Sequence, residues 1–86
     1  DKRTRTEILE WMKKILDDPD YIGIYKNDEG QTAIEFIKKA YTNLLLGVEV
    51  DEEKQYIYVT TMYPITDRKI ENRIYSGKLI NIKKNK

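Results

Sequence analysis

The side chains in this sequence that can do acid–base or phosphate chemistry are carboxylates, cations and hydroxyls, because the chain contains no histidine and no cysteine. The first absence removes the commonest metal ligand and the usual general base near neutral pH. The second removes disulfide frameworks and thiolate metal sites. What is left forms one loose constellation. Glu35 stands close to Lys38 and Lys39 in the sequence. Thr60, Thr61 and Tyr63 supply hydroxyls, and Arg68 and Arg73 supply forked donors that match a phosphate. Such a set suits cleavage of RNA without a metal. That reaction needs the ribose 2′-oxygen in line with phosphorus, and cations and donors around the pentacoordinate phosphate. A carboxylate can serve as the base when burial raises its pKa, while Lys, Arg and Tyr do the electrostatic work. Taken singly each residue is ordinary, and a glutamate beside lysines more often marks a surface ion pair than a base. There is no phosphate-cradling glycine loop, no metal-ligand cluster and no Ser-His-Asp set, which excludes the better-marked enzyme classes.

A second inventory is aromatic. Tyr21, Tyr25, Tyr56 and Tyr58, with Thr60 alongside, fall on the outward positions of two predicted strands. Tyrosines sharing a sheet face can stack unpaired bases of single-stranded or looped RNA. The competing explanation is that tyrosine is a good strand former with a polar tip for the wet side.

These groups must be positioned by a small scaffold. At 86 residues the chain is expected to form a single domain, residues 1–86, with 40% hydrophobic content for one modest core and 36% charged residues for its surface. The net charge of +1 hides an asymmetry. Residues 1–63 hold 9 Lys or Arg against 13 Asp or Glu, a net −4, and residues 64–86 hold 7 against 2, a net +5. A basic C-terminal quarter can hold a polyanion, or can be a solvated tail. No apolar run is long enough to span a membrane and no signal peptide is visible, so no membrane partner is expected. The sequence opens at Asp1 rather than Met, and the domain is expected to be a fragment of a larger protein.

Thr4-Arg5-Thr6-Glu7 fits a capping box. Ile8, Met12, Ile15 and Leu16 then recur at helical spacing, widened by Leu9 and Trp11, and predict a helix over 5–17 that ends before Pro19. Tyr21 to Lys26 alternates as a strand, and Asn27 to Gly30 is a turn signal. Gln31 to Thr42 is ambiguous. A strand puts Ala33, Glu35, Ile37 and Lys39 on one face and Thr32, Ile34, Phe36 and Lys38 on the other, but Ala33, Ile34, Ile37, Ala40, Tyr41 and Leu44 also make a helical stripe. The preceding turn favours the strand.

Asn43 to Val50 and Gln55 to Pro64 read as a hairpin closed by Asp51 to Lys54. Gln55 to Pro64 is the central strand of the scheme. Its strict alternation sets Ile57, Val59 and Thr61 on a core face, and Tyr56, Tyr58, Thr60 and Met62 opposite. Thr66-Asp67 starts a short helix through Ile74 that Ser76-Gly77 ends. Leu79 to Ile82 can add a last edge strand, followed by a basic tail expected to fray.

Several of these segments, in this order, resemble a known family. Ile15-Leu16-Asp17-Asp18-Pro19-Asp20-Tyr21-Ile22-Gly23, Ile34-Glu35-Phe36-Ile37-Lys38-Lys39, Val59-Thr60-Thr61-Met62-Tyr63, and Ile70 and Arg73 with Ser76-Gly77-Lys78-Leu79 resemble the phage-associated members of the barnase–EndoU–colicin–RelE-like (BECR) nuclease superfamily. The resemblance implies an α+β fold, with an N-terminal helix packed on a roughly four-stranded antiparallel sheet and a short C-terminal helix. It implies a metal-independent RNA endonuclease, toxin-like, that works by 2′-oxygen attack and needs no cofactor. Glu35, Lys38, Thr61, Tyr63 and Arg73 are then the expected catalytic set, with Glu35 the base. Lys26, Lys39, Tyr58, Thr60 and Arg68 are the expected RNA contacts.

One tension stands. Strict alternation separates Glu35 from Lys38 and sends Thr61 to the core side, so either a bulge intervenes or the functional residues gather at strand ends. The implied partners are RNA, either tRNA or another structured or single-stranded RNA, and a cognate inhibitor or immunity protein. The implied site of action is the cytoplasm, with a parent protein borne by a phage or delivered into a target cell. The alternatives are a catalytically inert RNA- or protein-binding module of the same fold, and a structural domain of a phage particle.

Overall fold

The computed structural model describes residues 5–82. Helix α1 (Arg5–Asp17) leads into strands β1 (Tyr21–Lys26), β2 (Thr32–Lys38), β3 (Leu44–Asp51) and β4 (Tyr56–Pro64). Helix α2 (Asp67–Tyr75) and a two-residue strand β5 (Ile80–Asn81) complete the chain. All strands pair antiparallel in the order β4-β3-β2-β1-β5, so β4, expected at the centre of the sheet, stands at its edge and β2 takes the centre. The expected α+β arrangement forms, and β5 extends it past β1. The capping residue Thr4 and the tail lysines Lys83, Lys84 and Lys86 lie outside the described residues.

The ambiguous segment resolves to strand because the turn before it is fixed locally. The Asn27 side-chain oxygen accepts from the backbone N–H of Glu29 and of Gln31, at 2.9 Å each, an Asx turn that sends the chain straight back along β1. Strand β2 then pairs on both edges, from Thr32 to Lys38. The helical stripe loses its support beyond that, since Ala40 and Tyr41 sit exposed in the loop to β3.

The sheet carries a helix on each face. On one, α1 lies over β2 and β3, and Ile15, Leu44, Leu46 and Val48 form a core joined by the half-buried Trp11, Met12, Ile34, Phe36 and Met62. On the other, α2 and the segments flanking it bury Ile65, Ile70 and Leu79 against Tyr21, Ile37 and Leu45. Each such side chain contributes about 1.5–3 kcal/mol by leaving water. Tyr21 therefore belongs to a core rather than to an outward aromatic row. The α1 stripe is only partly used, with Leu9 and Leu16 exposed, and α1 does not reach Ile57 and Val59 of β4, which stay 62% and 43% exposed.

Strand β4 departs from strict alternation. Gly47 pairs with Thr61 but the next residue, Val48, pairs with Val59, so Thr60 is the extra residue of a β-bulge. Its hydroxyl donates to the Gly47 carbonyl at 3.2 Å. The bulge shifts the alternation by one. Thr61 and Tyr63 join the face of Tyr56 and Tyr58, while Met62 turns to the α1 core. The core-side placement of Thr61 is corrected by this one residue.

Candidate functional site

Directly paired residues of antiparallel strands share a face. The registers Gly23↔Glu35, Glu35↔Gly47 and Gly47↔Thr61 thus make one row across four strands, on the face that α2 covers. Glu35 is the only carboxylate in that row. It stands between two glycines, and other groups fill the room their missing side chains leave. The Lys78 carbonyl and the Leu79 side chain lie directly over Gly23, and the Thr61 methyl leans over Gly47, 2.8 Å from where a Cβ would be. The Glu35 side chain is left 13% exposed.

Two side chains contact it, and a third is linked through one of them. The Tyr25 hydroxyl donates to Glu35 Oε2 at 3.4 Å. Arg73, one turn beyond the buried Ile70 on α2, brings Nη1 to 3.7 Å from Glu35 Oε1 and donates from Nη2 to the Tyr63 hydroxyl at 3.4 Å. Its Nε is buried without an acceptor among the described residues, an expensive state for a cationic donor. These contacts are longer than the 2.7–2.9 Å or so of a tight charge-assisted bond.

Burial, then the neighbouring Glu35 charge and its hydrogen bond, hold the Tyr25 phenol above its ordinary pKa, against the opposing pull of Arg73. Tyr25 therefore keeps its proton at neutral pH and remains a donor. Tyr25, Glu35, Arg73 and Lys78, with Lys26 to Asp28 of the β1–β2 turn, line an open depression of about 500 Å³.

Of the expected catalytic set, Glu35, Arg73 and Tyr63 stand together, and Thr61 is exposed in the same row two strands from Glu35. Lys38 does not join them. An odd spacing from Glu35 turns it to the α1 face, where its ammonium donates to the Asp18 carboxylate and main-chain carbonyl at 2.9 Å each. Lys39 pairs with Asp67 at 3.6 Å. Of the other expected RNA contacts, Lys26 lines the depression, Tyr58 donates to Glu49 at 3.2 Å, Thr60 closes the bulge, and Arg68 is exposed on the first turn of α2. Among the described residues, no group of three or more Asp or Glu stands where it could hold a metal ion.

Two lining residues stand outside the expected catalytic and RNA-contact sets: Tyr25, read only within the outward tyrosine face, and Lys78, read only within the Ser76-Gly77-Lys78-Leu79 motif. Tyr25 was legible in principle, because a hairpin closed at Asn27 to Gly30 sets it diagonally across from Glu35. Lys78 depends on how α2 returns over the sheet, and only Gly23 and Gly77 hint at that path.

A partly buried carboxylate paired with an arginine, each in contact with a phenol, stands beside a depression on the antiparallel sheet of this small α+β protein. Residues 1–72 match the family model described as phage-Barnase-EndoU-ColicinE5/D-RelE like nuclease3. The chain belongs to this nuclease family. Glu35, Thr61 and Tyr63 fall inside the matched residues, and Arg73 stands immediately after them. No curated protein and no solved structure matches the chain.

Proposed function

We propose that this domain is a metal-independent RNA endonuclease that cleaves by attack of the ribose 2′-oxygen on the adjacent phosphodiester. The observation that carries the proposal is the Glu35–Arg73 pair, with its two phenols, in a chain of a nuclease family. Glu35 takes the proton of the 2′-hydroxyl as the O2′–P bond forms. Arg73 donates to the non-bridging oxygens and holds the charge that accumulates there. The P–O5′ bond breaks, and the departing 5′-oxygen takes a proton from Tyr63, whose hydroxyl already touches Arg73. The products are a 2′,3′-cyclic phosphate and a 5′-hydroxyl. Thr61, in the same row, positions the phosphate from the β4 side.

RNA with flexible or looped segments is the substrate class, because in-line attack needs a backbone free to rotate. A cognate inhibitor that covers the site is the expected protein partner. The test is incubation of the folded domain with total RNA in EDTA. Fragmentation supports the reading, and intact RNA at high protein excess counts against it.

A further inference from the structure

The sequence supplied a lysine for the site, Lys38, that the fold ties down on the other face. The depression beside Glu35 contains a different one. Charges around it nearly cancel. Lys26 is offset by Asp28, and Arg73 by Glu35, which leaves Lys78 as the surplus cation. Lys26 is moreover engaged, donating to Thr32 at 3.0 Å and facing Glu52 at 3.7 Å. Among the described residues the Lys78 ammonium has neither a hydrogen-bond nor an ion-pair partner.

Its place is held by two features from distant parts of the chain. Helix α2 ends in a Schellman motif, in which Gly77 N–H donates to Ile74 at 3.0 Å and Lys78 N–H to Arg73 at 2.8 Å. Gly77 supplies the left-handed residue this turn requires, with φ of 79°. The chain then reverses and crosses β1 at Gly23, where the Lys78 carbonyl rests on the bare Cα and Leu79 enters the core. A Cβ at Gly23 would come within 2.3 Å of that oxygen. This crossing sets Lys78 beside Arg73, whose buried Nε also lacks an acceptor. An anion in the depression would partner the Lys78 ammonium.

We infer that Lys78 is a phosphate-contacting residue of this site, giving it the net positive charge that the mutually neutral Glu35 and Arg73 cannot. The inference rests on the proposed function for the identity of the anion, a phosphodiester of single-stranded RNA. It extends the bound backbone from Thr61 and Tyr63 on the β4 side, across Glu35, to the β1 side.

The test is binding of an all-2′-deoxy oligonucleotide, which no 2′-oxygen mechanism can cleave, across a range of salt concentrations. Binding is measured for the wild type, Lys78→Ala, Lys78→Arg and, as a control on a distant turn, Lys54→Ala. Lys78→Ala is expected to bind about 10-fold or more weakly, with the slope of log K against log salt reduced by about 0.7, the loss of one single-strand phosphate contact. Lys78→Arg and Lys54→Ala should keep the wild-type slope. A wild type that does not bind, or a Lys78→Ala slope equal to wild type in a folded sample, overturns the inference. Cleavage of ribo-oligonucleotides is followed in parallel. Cleavage that survives Lys78→Ala undiminished, with the slope unchanged, removes Lys78 and leaves the nuclease reading standing. A changed slope without any cleavage by the wild type does the reverse.

Discussion

Replacing Gly23 with alanine tests whether the crossing of the chain over β1 builds the site. Gly23 has ordinary strand pairing with Glu35, so the alanine backbone is itself unstrained. The cost comes from what lies above it. A Cβ would sit 2.3 Å from the Lys78 carbonyl oxygen and 2.9 Å from the Leu79 side chain. Normal carbon contacts begin about 1 Å further out than the first of these. The obstacle is main chain held by the Schellman bonds of α2 and by Leu79, which is 5% exposed in the core. The segment can yield only by lifting Leu79 and dragging the end of α2, which carries Arg73.

Overpacking of this kind costs about 1–3 kcal/mol. With a urea dependence of about 1 kcal/mol per molar at the small-protein end, the unfolding midpoint should fall by about 1–3 M. Cleavage should fall by more than the unfolded fraction explains, because Lys78 and Arg73 move away from Glu35. Urea titration followed by Trp11 fluorescence, with activity measured on the same samples well below the midpoint, reads both. A Gly23→Ala protein with wild-type midpoint and wild-type activity would refute the account of how this site is held.

The remaining predictions concern individual groups. In Tyr25→Phe, loss of the donor to Glu35 should lower stability at neutral pH by about 0.5–1.5 kcal/mol. The Tyr25 pKa is raised in the folded state, so its contribution is fully present below the unfolded value of about 10 and is lost as pH rises through the folded value. The wild type should therefore lose its advantage over Tyr25→Phe above about pH 10, read from paired urea midpoints at pH 8 and above 10. In Lys38→Ala, the broken contacts to Asp18 should cost about 1 kcal/mol or less, and cleavage should stay within twofold of wild type. A large loss of activity in a folded Lys38→Ala sample would restore Lys38 to the site.

The scaffold was legible because its signals are local. The α1 stripe, the Asn27 turn and the Thr66 cap, whose hydroxyl accepts from Lys69 N–H at 3.2 Å, each act within a few residues. Strand β2 shows where periodicity alone misleads, since Ala33, Ile34 and Ile37 suit either a helix or a strand and only pairing on both edges decides. Glu35 and Arg73 were readable as chemistry but not as neighbours, because a residue of α2 meets one of β2 only after the sheet is covered. Thr61 was assigned to the wrong face for a single reason. The bulge at Thr60 adds one residue, and in a structure of period two that exchanges the faces. Lys38 entered the catalytic set through the resemblance although alternation already separated it from Glu35, and without a bulge in β2 the two stay on opposite faces. Lys78 was visible within a motif but not as a neighbour of Glu35, since its position depends on a crossing over Gly23 some fifty residues earlier in the chain.

The most direct test of the central claim is the chemistry of the ends that the domain produces. Wild-type protein and Glu35→Gln are incubated in EDTA with a labelled ribo-oligonucleotide, and with the same oligonucleotide carrying one 2′-deoxy sugar at the cleaved position. The wild type should yield a 2′,3′-cyclic phosphate and a 5′-hydroxyl, and should leave the 2′-deoxy position uncut. Glu35→Gln, folded to the same degree, should be slower by about 10²–10⁴-fold, the range of a lost general base. Cleavage of the 2′-deoxy position, or full activity in Glu35→Gln, would contradict the account.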